Sequence, residues 1–540
     1  MGNWNFADAW DVVADALPEA PAQIQGERTV TWRDFDRRAN AFGRELQRLG
    51  LKRNSKIAVL AYNCPEWLEA LYGAFKVSMV PANINYRYGP AEVAYICDNA
   101  DAEVVVFHAT FAPLLDEIRG ELKLVKQWLV ISDGADEPDW ADRYEDVVAS
   151  GADRPDSQRS GDDVHMLYTG GTTGMPKGVV YRQDDLWGAL GGGGNQALGI
   201  APPADLDEFR SRLVAPGPRS LPACPIMHGT GQWGSFQILN SGGCILTLTS
   251  RRFDSAELWR TVTEKQVNIV AIVGDAFAKP MLEELDRNPD AYNLDTLIMI
   301  GSSGVMWSHE VKEGLLRHKP SMILFDSLGS TEAVGMAGSQ ATADSNPETA
   351  KFQLGEKVKV FTDGGKPVEP GSGDIGLLAV GGFIPLEYYK DPEKSERTFR
   401  TFEGARYSVP GDYATVDADG TIHLLGRGTV CINSGGEKIF PEEVEEVLKL
   451  HPSIRDAVCV GVPDDRFGEA VTAVVEPQPD ASVDAQEVID QVKSHIAAYK
   501  APRHVVVVPT IGRSPAGKVD YAGLRTKAIE MLGLTVGAEQ

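Results

Sequence analysis

The residues with the most to offer chemically lie in one run, Tyr168-Thr169-Gly170-Gly171-Thr172-Thr173-Gly174-Met175-Pro176-Lys177-Gly178-Val179. An apolar stretch, Val164 to Tyr168, predicts a strand leading in, and Val179-Val180-Tyr181 a strand leading out. Glycine lets a backbone turn tightly and approach a ligand closely. Successive N–H groups in such a turn form a concavity for anions, to which threonine hydroxyls and a lysine add donors and charge. That is chemistry suited to the phosphates of a nucleotide. The pattern is not the P-loop, in which Gly-Lys-Ser/Thr opens a helix. Here Pro176 precedes Lys177, and a β-rich run follows. A match of four residues would be an ordinary glycine-rich hairpin; the length of this one argues for a phosphate loop.

Such a loop needs a scaffold. Lys56–Tyr62 and Glu103–Phe107 predict buried strands, while Arg33–Leu49, Glu66–Lys76 after Pro65, and Ala91–Asn99 predict helices. Strand and helix in alternation predict a parallel sheet with helices on its faces. Residues 1–50 read as an entry segment and Ser132–Gly161 as an acidic surface connection. Gly191–Gly194 reads as a loop insertion, because the G-x-G-x-x-G spacing of a dinucleotide fingerprint is absent. Alternation resumes with strands Cys244–Thr249 and Ile269–Val273 and helices Ser255–Lys265 and Phe277–Arg287. Strands Leu297–Ile300 and Met322–Phe325 each lead into a polar loop: Gly301-Ser302-Ser303-Gly304, and Asp326-Ser327-Leu328-Gly329-Ser330-Thr331-Glu332. In open α/β sheets ligands bind outside the carboxyl ends of the strands, where such loops lie. From about Gly355 short strands with Gly/Asp turns predict a β-rich subdomain; Gly426-Arg427-Gly428 reads as a hinge. The expectation is an α/β protein. A large N-terminal domain, residues 1–425, combines parallel-rich sheets, helices and the β-rich subdomain. A small mobile α+β C-terminal domain spans residues 426–540.

Composition narrows the function. At 540 residues the chain is too long for one ordinary core. Its 43% apolar and 24% charged residues are those of a soluble globular protein. A net charge of −25 argues against a nucleic-acid partner and against docking on anionic membrane. The six cysteines form no CxxC, so buried thiols in a reducing, cytoplasmic setting are expected. No Cys/His cluster has zinc spacing, Met1–Ala20 lacks the features of a signal peptide, and no apolar run can span a bilayer.

Several short pieces, in order, match one pattern. Tyr168–Val179 resembles the phosphate loop of the adenylate-forming superfamily: acyl-CoA synthetases, luciferase-like enzymes and peptide-synthetase adenylation domains. Pro225-Ile226-Met227-His228, Gly329-Ser330-Thr331-Glu332 and Gly411-Asp412 resemble its Pro-x-x-His, Gly-x-Thr-Glu and ribose-gripping motifs. Gly426-Arg427, Gly435-Gly436-Glu437-Lys438-Ile439 and Pro441-Glu442-Glu443-Val444-Glu445 resemble its hinge and the loop after it, and Pro515-Ala516-Gly517-Lys518 its catalytic lysine motif. The resemblance covers nearly the whole chain. It is nearest to bacterial acyl-CoA synthetases for fatty acids and steroid side-chain acids. Val430, Leu328 and Val409-Pro410 depart from residues common in relatives.

The resemblance implies ATP, Mg²⁺ and coenzyme A as co-substrates and cofactor, a small-molecule carboxylic acid as substrate, and leaves a homodimer open. It assigns Thr169, Gly170, Gly171, Thr172, Thr173, Gly174 and Lys177 to the β/γ-phosphates. Gly301, Ser302, Ser303, Asp326, Ser327, Leu328, Gly329 and Ser330 would line the nucleotide site, Thr331 would contact the α-phosphate, and Thr172 and Glu332 would serve the metal. Asp412 would accept the ribose hydroxyls, Arg427 would reach ribose or phosphate, and Lys518 would bridge carboxylate and α-phosphate. His228, Trp233, Gly274, Asp275, Phe277, Gly304 and Val334 would bound the acyl pocket, His228 also counting with Lys518, Glu332 and Thr331 as catalytic; by itself His228 would be a loop histidine, Trp233 and Phe277 read more readily as packing than as contacts, and Asp275 could meet a hydroxyl or cap the helix after it. Ser434, Gly435, Gly436, Glu437 and Lys438 would serve the CoA step after the small domain swings. Taken alone, Glu332 and Asp412 would be surface carboxylates and Lys518 a solvated lysine. Loading of a carrier protein, a luciferase-like oxygenase and a non-catalytic acyl-nucleotide sensor are the competing readings.

Overall fold

The computed structural model describes residues 3–169, 175–194, 200–304, 307–345, 351–355, 357–427, 430–434, 437–464, 467–496, 498–514 and 519–534. It divides into two compact units, one of residues 1–347 and 380–408, the other of residues 348–379 and 409–540.

Among the described residues the first unit takes part in three sheets. One is parallel, in the order Val80–Asn83, Lys56–Leu60, Ala102–His108, Gln127–Ile131, Asp142–Arg143. A second has six parallel strands, in the order Pro21–Gln25, Cys244–Thr247, Arg219–Pro222, Ile269–Ile272, Met299–Ser303, Ile323–Ser330. Antiparallel strands flank it, Arg28–Thr31 at one side and Ala333–Ala341 at the other. The third is the hairpin Val164–Thr169/Lys177–Arg182, with Glu387–Tyr388 antiparallel on its edge.

Residues 1–50 are more than an entry segment. Asn5 caps a helix, Phe6–Ala16, by accepting from the Ala7 N–H. Phe6 and Trp10 are buried among Phe35, Tyr72, Phe75 and Phe236. Pro21–Gln25 joins the second sheet. The acidic character that hides this helix has an internal partner. Lys76, its side chain fully buried, bridges Asp11 and Asp36 at 2.5 and 2.6 Å. Burial alone would raise the Asp11 carboxyl, but Lys76, Arg159 and Arg154 drive it well below the ordinary range. The acidic connection Ser132–Gly161 likewise hides a short helix, Tyr144–Val148, which buries Tyr144 against Phe42. Five residues are too few for a readable period.

Two expected loops are strands. Gly301, Ser302 and Ser303 continue Met299–Ser303, the first two paired on both sides and Ser303 with Ser327 alone, and Asp326 to Ser330 continue Ile323–Ser330. Gly and Ser are poor strand formers, but a ladder on each side overrides propensity. Only Thr331 and Glu332 form the turn into Ala333–Ala341.

In the second unit, Lys351–Leu354 and Asp412–Val416 both pair antiparallel with Thr421–Arg427. The following strands, Ile432–Ser434, Glu437–Ile439, Ile454–Asp464, Gly468–Pro477 and His504–Val507, form a separate sheet. Its core follows the two-residue period of a strand. Ala457 and Cys459 pack on one face with helices Pro441–Lys449 and Ala485–His495; Val458, Val460 and Val462 pack on the other with Tyr521–Met531. The cysteines are free thiols, all buried except the half-buried Cys431. Among the described residues no helix is long and apolar enough to cross a membrane.

Candidate active site

The hairpin sets Thr169 directly across from Lys177 as the closing pair of its ladder. Gly170, Gly171, Thr172, Thr173 and Gly174 lie outside the described residues. Lys177 Nζ is 2.8 Å from Asp391, a partner no motif suggested. The hydrogen bond and charge of Asp391 raise the Lys177 ammonium, and Lys177 in turn lowers the Asp391 carboxyl.

Two asparagines tie this hairpin and the first sheet to the Pro225–His228 segment. Asn83, buried at the end of its strand, accepts from the Tyr168 N–H at 2.6 Å. It donates to the carbonyls of Tyr168 at 2.9 Å and Met227 at 2.8 Å. Asn63 accepts from the Ile226 N–H at 2.8 Å and donates to the Cys224 carbonyl at 3.0 Å. Buried backbone groups need partners, and here side-chain amides supply them where no ladder continues. A polar residue closing an apolar strand was the available signal for Asn83. His228 is half-buried at the N-cap of the helix Gly229–Leu239. Trp233 on that helix is buried; its indole N–H donates to His165 Nε2 at 3.3 Å and its ring meets Tyr181 edge-on. Burial lowers His165 to about 3, which keeps the ring neutral and able to accept.

The second sheet lines up Ile272, Ser302 and Asp326 across three strands, with Ser303 opposite Ser327. Gly274 adopts φ 55°, ψ −156°, a conformation essentially reserved for glycine, and its N–H donates to Ser302 Oγ at 2.9 Å. Asp275 Oδ1 accepts from the Ser308 N–H at 2.9 Å and hydroxyl at 3.1 Å, so it tethers the segment before the helix His309–His318. Phe277 packs edge-on against Phe253. Gly304, at φ 91°, comes close to Thr230 and Val273: a Cβ there would lie 3.9 Å from each. Asp326 is buried 3.2 Å from Lys312, also buried. Burial pushes its carboxyl up to about 6 against the pull of Lys312, with Asp275 adding to the rise.

Glu332 is buried in its turn. Tyr388 donates its hydroxyl to Oε1 at 2.6 Å, and Ser408 donates to the Glu332 carbonyl at 2.6 Å. Tyr181 donates to the Thr331 carbonyl at 3.1 Å. Val334, just beyond, packs on the main core. Tyr388, Tyr181 and Ser408 carry no motif signal. A buried, oriented carboxylate oxygen suits Mg²⁺, which takes one or two carboxylates together with substrate phosphates. Among the described residues no group of three or more His, Cys, Asp or Glu converges as a metal cage.

In the second unit Asp412 faces Arg427 across the ladder; for Arg427 the backbone is described. Ser434 pairs with Glu437 and with Gly468, and Lys438 with Asn433. Gly426 has φ 107°, and a Cβ there would collide with Glu442. Gly435, Gly436 and Lys518 lie outside the described residues. The chain leading to that lysine is anchored: Arg513 grips both oxygens of Asp456 at 2.6 and 3.0 Å, and the Ile511 N–H donates to Glu476 at 2.8 Å.

Comparison with known proteins decides the family. The profile of the AMP-binding enzyme matches residues 10–389, and that of the AMP-binding enzyme C-terminal domain matches residues 443–518. The chain belongs to the AMP-binding enzyme family. This AMP-binding enzyme is 41% identical over 529 residues to a 3-oxocholest-4-en-26-oate–CoA ligase of Rhodococcus rhodochrous, covering 96% of this chain and 94% of that one. It is 36% identical over 541 residues to the medium-chain acyl-CoA ligase Mig of Mycobacterium avium, covering 96% and 97%. Its fold is that of the anthranilate CoA ligase AuaEII in complex with anthranoyl-AMP (TM-score 0.82, 21% identity, 98% of each chain). It is equally that of ATP-bound MatB from Rhodopseudomonas palustris (TM-score 0.80, 22% identity, 98% and 100%).

Proposed function

We propose that this enzyme is an AMP-forming acid–CoA ligase acting on a hydrophobic carboxylic acid, a medium- or long-chain fatty acid or a steroid side-chain acid. The observation that carries the reading is the near full-length likeness, at 36% and 41% identity, to ligases named for such acids. A carboxylate oxygen attacks the α-phosphorus of ATP and pyrophosphate leaves; the CoA thiol then attacks the acyl carbon and AMP leaves. Phosphoryl transfer of this kind depends on positioning and charge neutralisation more than on covalent help.

Lys177 and the hairpin threonines hold the β/γ-phosphates. Thr331 contacts the α-phosphate, and Asp412 takes the ribose hydroxyls. Glu332 and Thr172 would hold Mg²⁺, which neutralises phosphate charge when bound. Ser302, Ser303 and Asp326 to Ser330 line the nucleotide side; Gly274, Gly304 and the start of the Gly229–Leu239 helix bound the acyl side. Lys518 bridges the acid and the α-phosphate. Residues 426–540 then turn about Gly426–Arg427, withdrawing Lys518 and presenting Ser434 to Lys438 for the thiol step. Free, largely buried thiols support a reducing, cytoplasmic setting.

The test is pyrophosphate release across acids from acetate through palmitate to aromatic and steroid side-chain acids, with and without CoA, followed by mass spectrometry of the thioester. A hydrophobic acid giving both pyrophosphate and acyl-CoA is expected. Pyrophosphate without thioester would transfer the reading to carrier-protein loading. Silence across the panel with ATP still bound would favour a sensor.

A further inference from the structure

We infer that Tyr388 is a positioning residue for acyl-adenylate formation, acting through the Glu332 carboxylate; the inference rests on the adenylation reading above. The contact is a buried O–H to carboxylate hydrogen bond of 2.6 Å, the short range of a charge-assisted bond. Its surroundings fix the tyrosine on every side. Tyr388 pairs with Val179 in the two-residue edge strand of the hairpin. Backbone bonds bracket that strand: Leu386 N–H to Val180 and Tyr389 N–H to Gly178, both 2.7 Å. The Tyr388 N–H donates to Ser395 Oγ at 2.8 Å. Phe399 packs against the ring, and the Lys394 ammonium lies 4.2 Å from its centroid. A cation over the ring draws electron density from the phenol and makes its O–H the stronger donor.

The strap that carries Tyr388 also carries Asp391, the partner of Lys177. Its middle is moored to the first sheet, where Tyr389 donates to Asp101 at 2.8 Å and accepts from Lys56 at 2.9 Å. One short segment therefore sets both the lysine expected to meet the outer phosphates and the carboxylate expected to meet the metal. Without the tyrosine hydroxyl, the turn keeps its backbone anchors, Ser408 on the Glu332 carbonyl and Tyr181 on the Thr331 carbonyl, but the carboxylate loses the short hydrogen bond that helps to set its direction. A carboxylate that must act at one place gains its effect from preorganisation, which rotation about its last torsions removes.

Tyr388→Phe deletes the hydroxyl alone. It should lower pyrophosphate release at least tenfold. The ATP and Mg²⁺ concentrations for half-saturation should rise, as should the Kd for ATP with Mg²⁺ measured by calorimetry. Thioester formation from supplied acyl-AMP should stay within twofold of the parent. A double-mutant cycle makes the route explicit: in a Glu332→Ala background, which removes the acceptor of the tyrosine hydroxyl, the tyrosine substitution should add less than twofold. Should Tyr388→Phe fold poorly, Lys394→Ala, which removes the cation over the ring and a positive charge near Asp391, should move the same quantities in the same direction by a smaller factor. Unchanged adenylation and ATP binding overturn the inference, as does an equal loss in both half-reactions, or losses that multiply fully with those of Glu332→Ala. Failure of the parent enzyme to release pyrophosphate with any acid would instead refute the adenylation reading itself.

Discussion

Asn83 belongs to no motif, yet its amide makes three hydrogen bonds that join the phosphate hairpin to the Pro225–His228 segment. Asn83→Ala would leave two buried carbonyls and one N–H without that partner, at a cost of about 3 kcal/mol. Urea unfolding should show the loss, and pyrophosphate release should fall with it. A midpoint unchanged from the parent would mean that the amide is dispensable. Glu332 is the opposite case, a motif residue whose reading as a surface carboxylate is excluded by its burial. Glu332→Gln can still accept from Tyr388 but carries no charge. We expect pyrophosphate release to drop on the order of a hundredfold, the scale of a lost electrostatic contact in a preorganised site, with folding intact. A change below twofold would remove Glu332 from the reaction.

The segments that sequence reading placed well were those with a strong period: the apolar strands Lys56–Leu60 and Ala102–His108, and the helices Pro65–Lys76 and Ser255–Lys265. Those it missed were masked by composition. The helix Gly229–Leu239 contains Gly231 and Gly234, each about 1 kcal/mol poorer than alanine in a helix. Gly231 is there because a Cβ would press on the Pro225 carbonyl at 2.5 Å; burial of Phe236 and Leu239 offsets the poor propensity. Loop-like glycine and serine at 301–303 and 327–330 lie in strands for a similar reason: neighbours, not propensity, set their backbone. Motif residues were visible because their spacing is short-range. Tyr388, Asp391 and Lys312 were not, because each meets its partner from another element.

The packing of Gly229–Leu239 on the hairpin makes a pH prediction. His165 is buried and lowered to about 3, against an ordinary value near 6.5. Stability from the neutral ring is therefore present above pH ~6.5 and is lost as pH falls from there towards 3. In His165→Leu the slope of stability against pH, between about 4 and 6, should flatten by up to ~1.4 kcal/mol per pH unit. Near pH 7.5 the variant should be about 1 kcal/mol less stable, because the Trp233 indole loses its acceptor. Urea unfolding at stepped pH reads both quantities; parallel slopes for the two proteins would contradict the assignment.

Residues 1–347 with 380–408, and 348–379 with 409–540, are compact by themselves, and the motifs are divided between them. Glu332 and Lys177 belong to the first; Asp412, Arg427, Ser434 and Lys518 belong to the second. A two-step reaction uses such a division if residues 426–540, within the second unit, present different residues in each step. Lys518→Ala should then abolish acyl-AMP formation while preserving ATP binding and thioester formation from supplied acyl-AMP. Equal loss of both steps would argue against exchange of roles.

The most direct measurement follows an oxygen atom. If a carboxylate oxygen attacks the α-phosphorus, that oxygen stays with AMP when the thiol displaces it. With the preferred acid labelled in both carboxylate oxygens with ¹⁸O, mass spectrometry should find one label in each AMP and none in pyrophosphate. AMP without label, or label in pyrophosphate, would contradict the acyl-adenylate route.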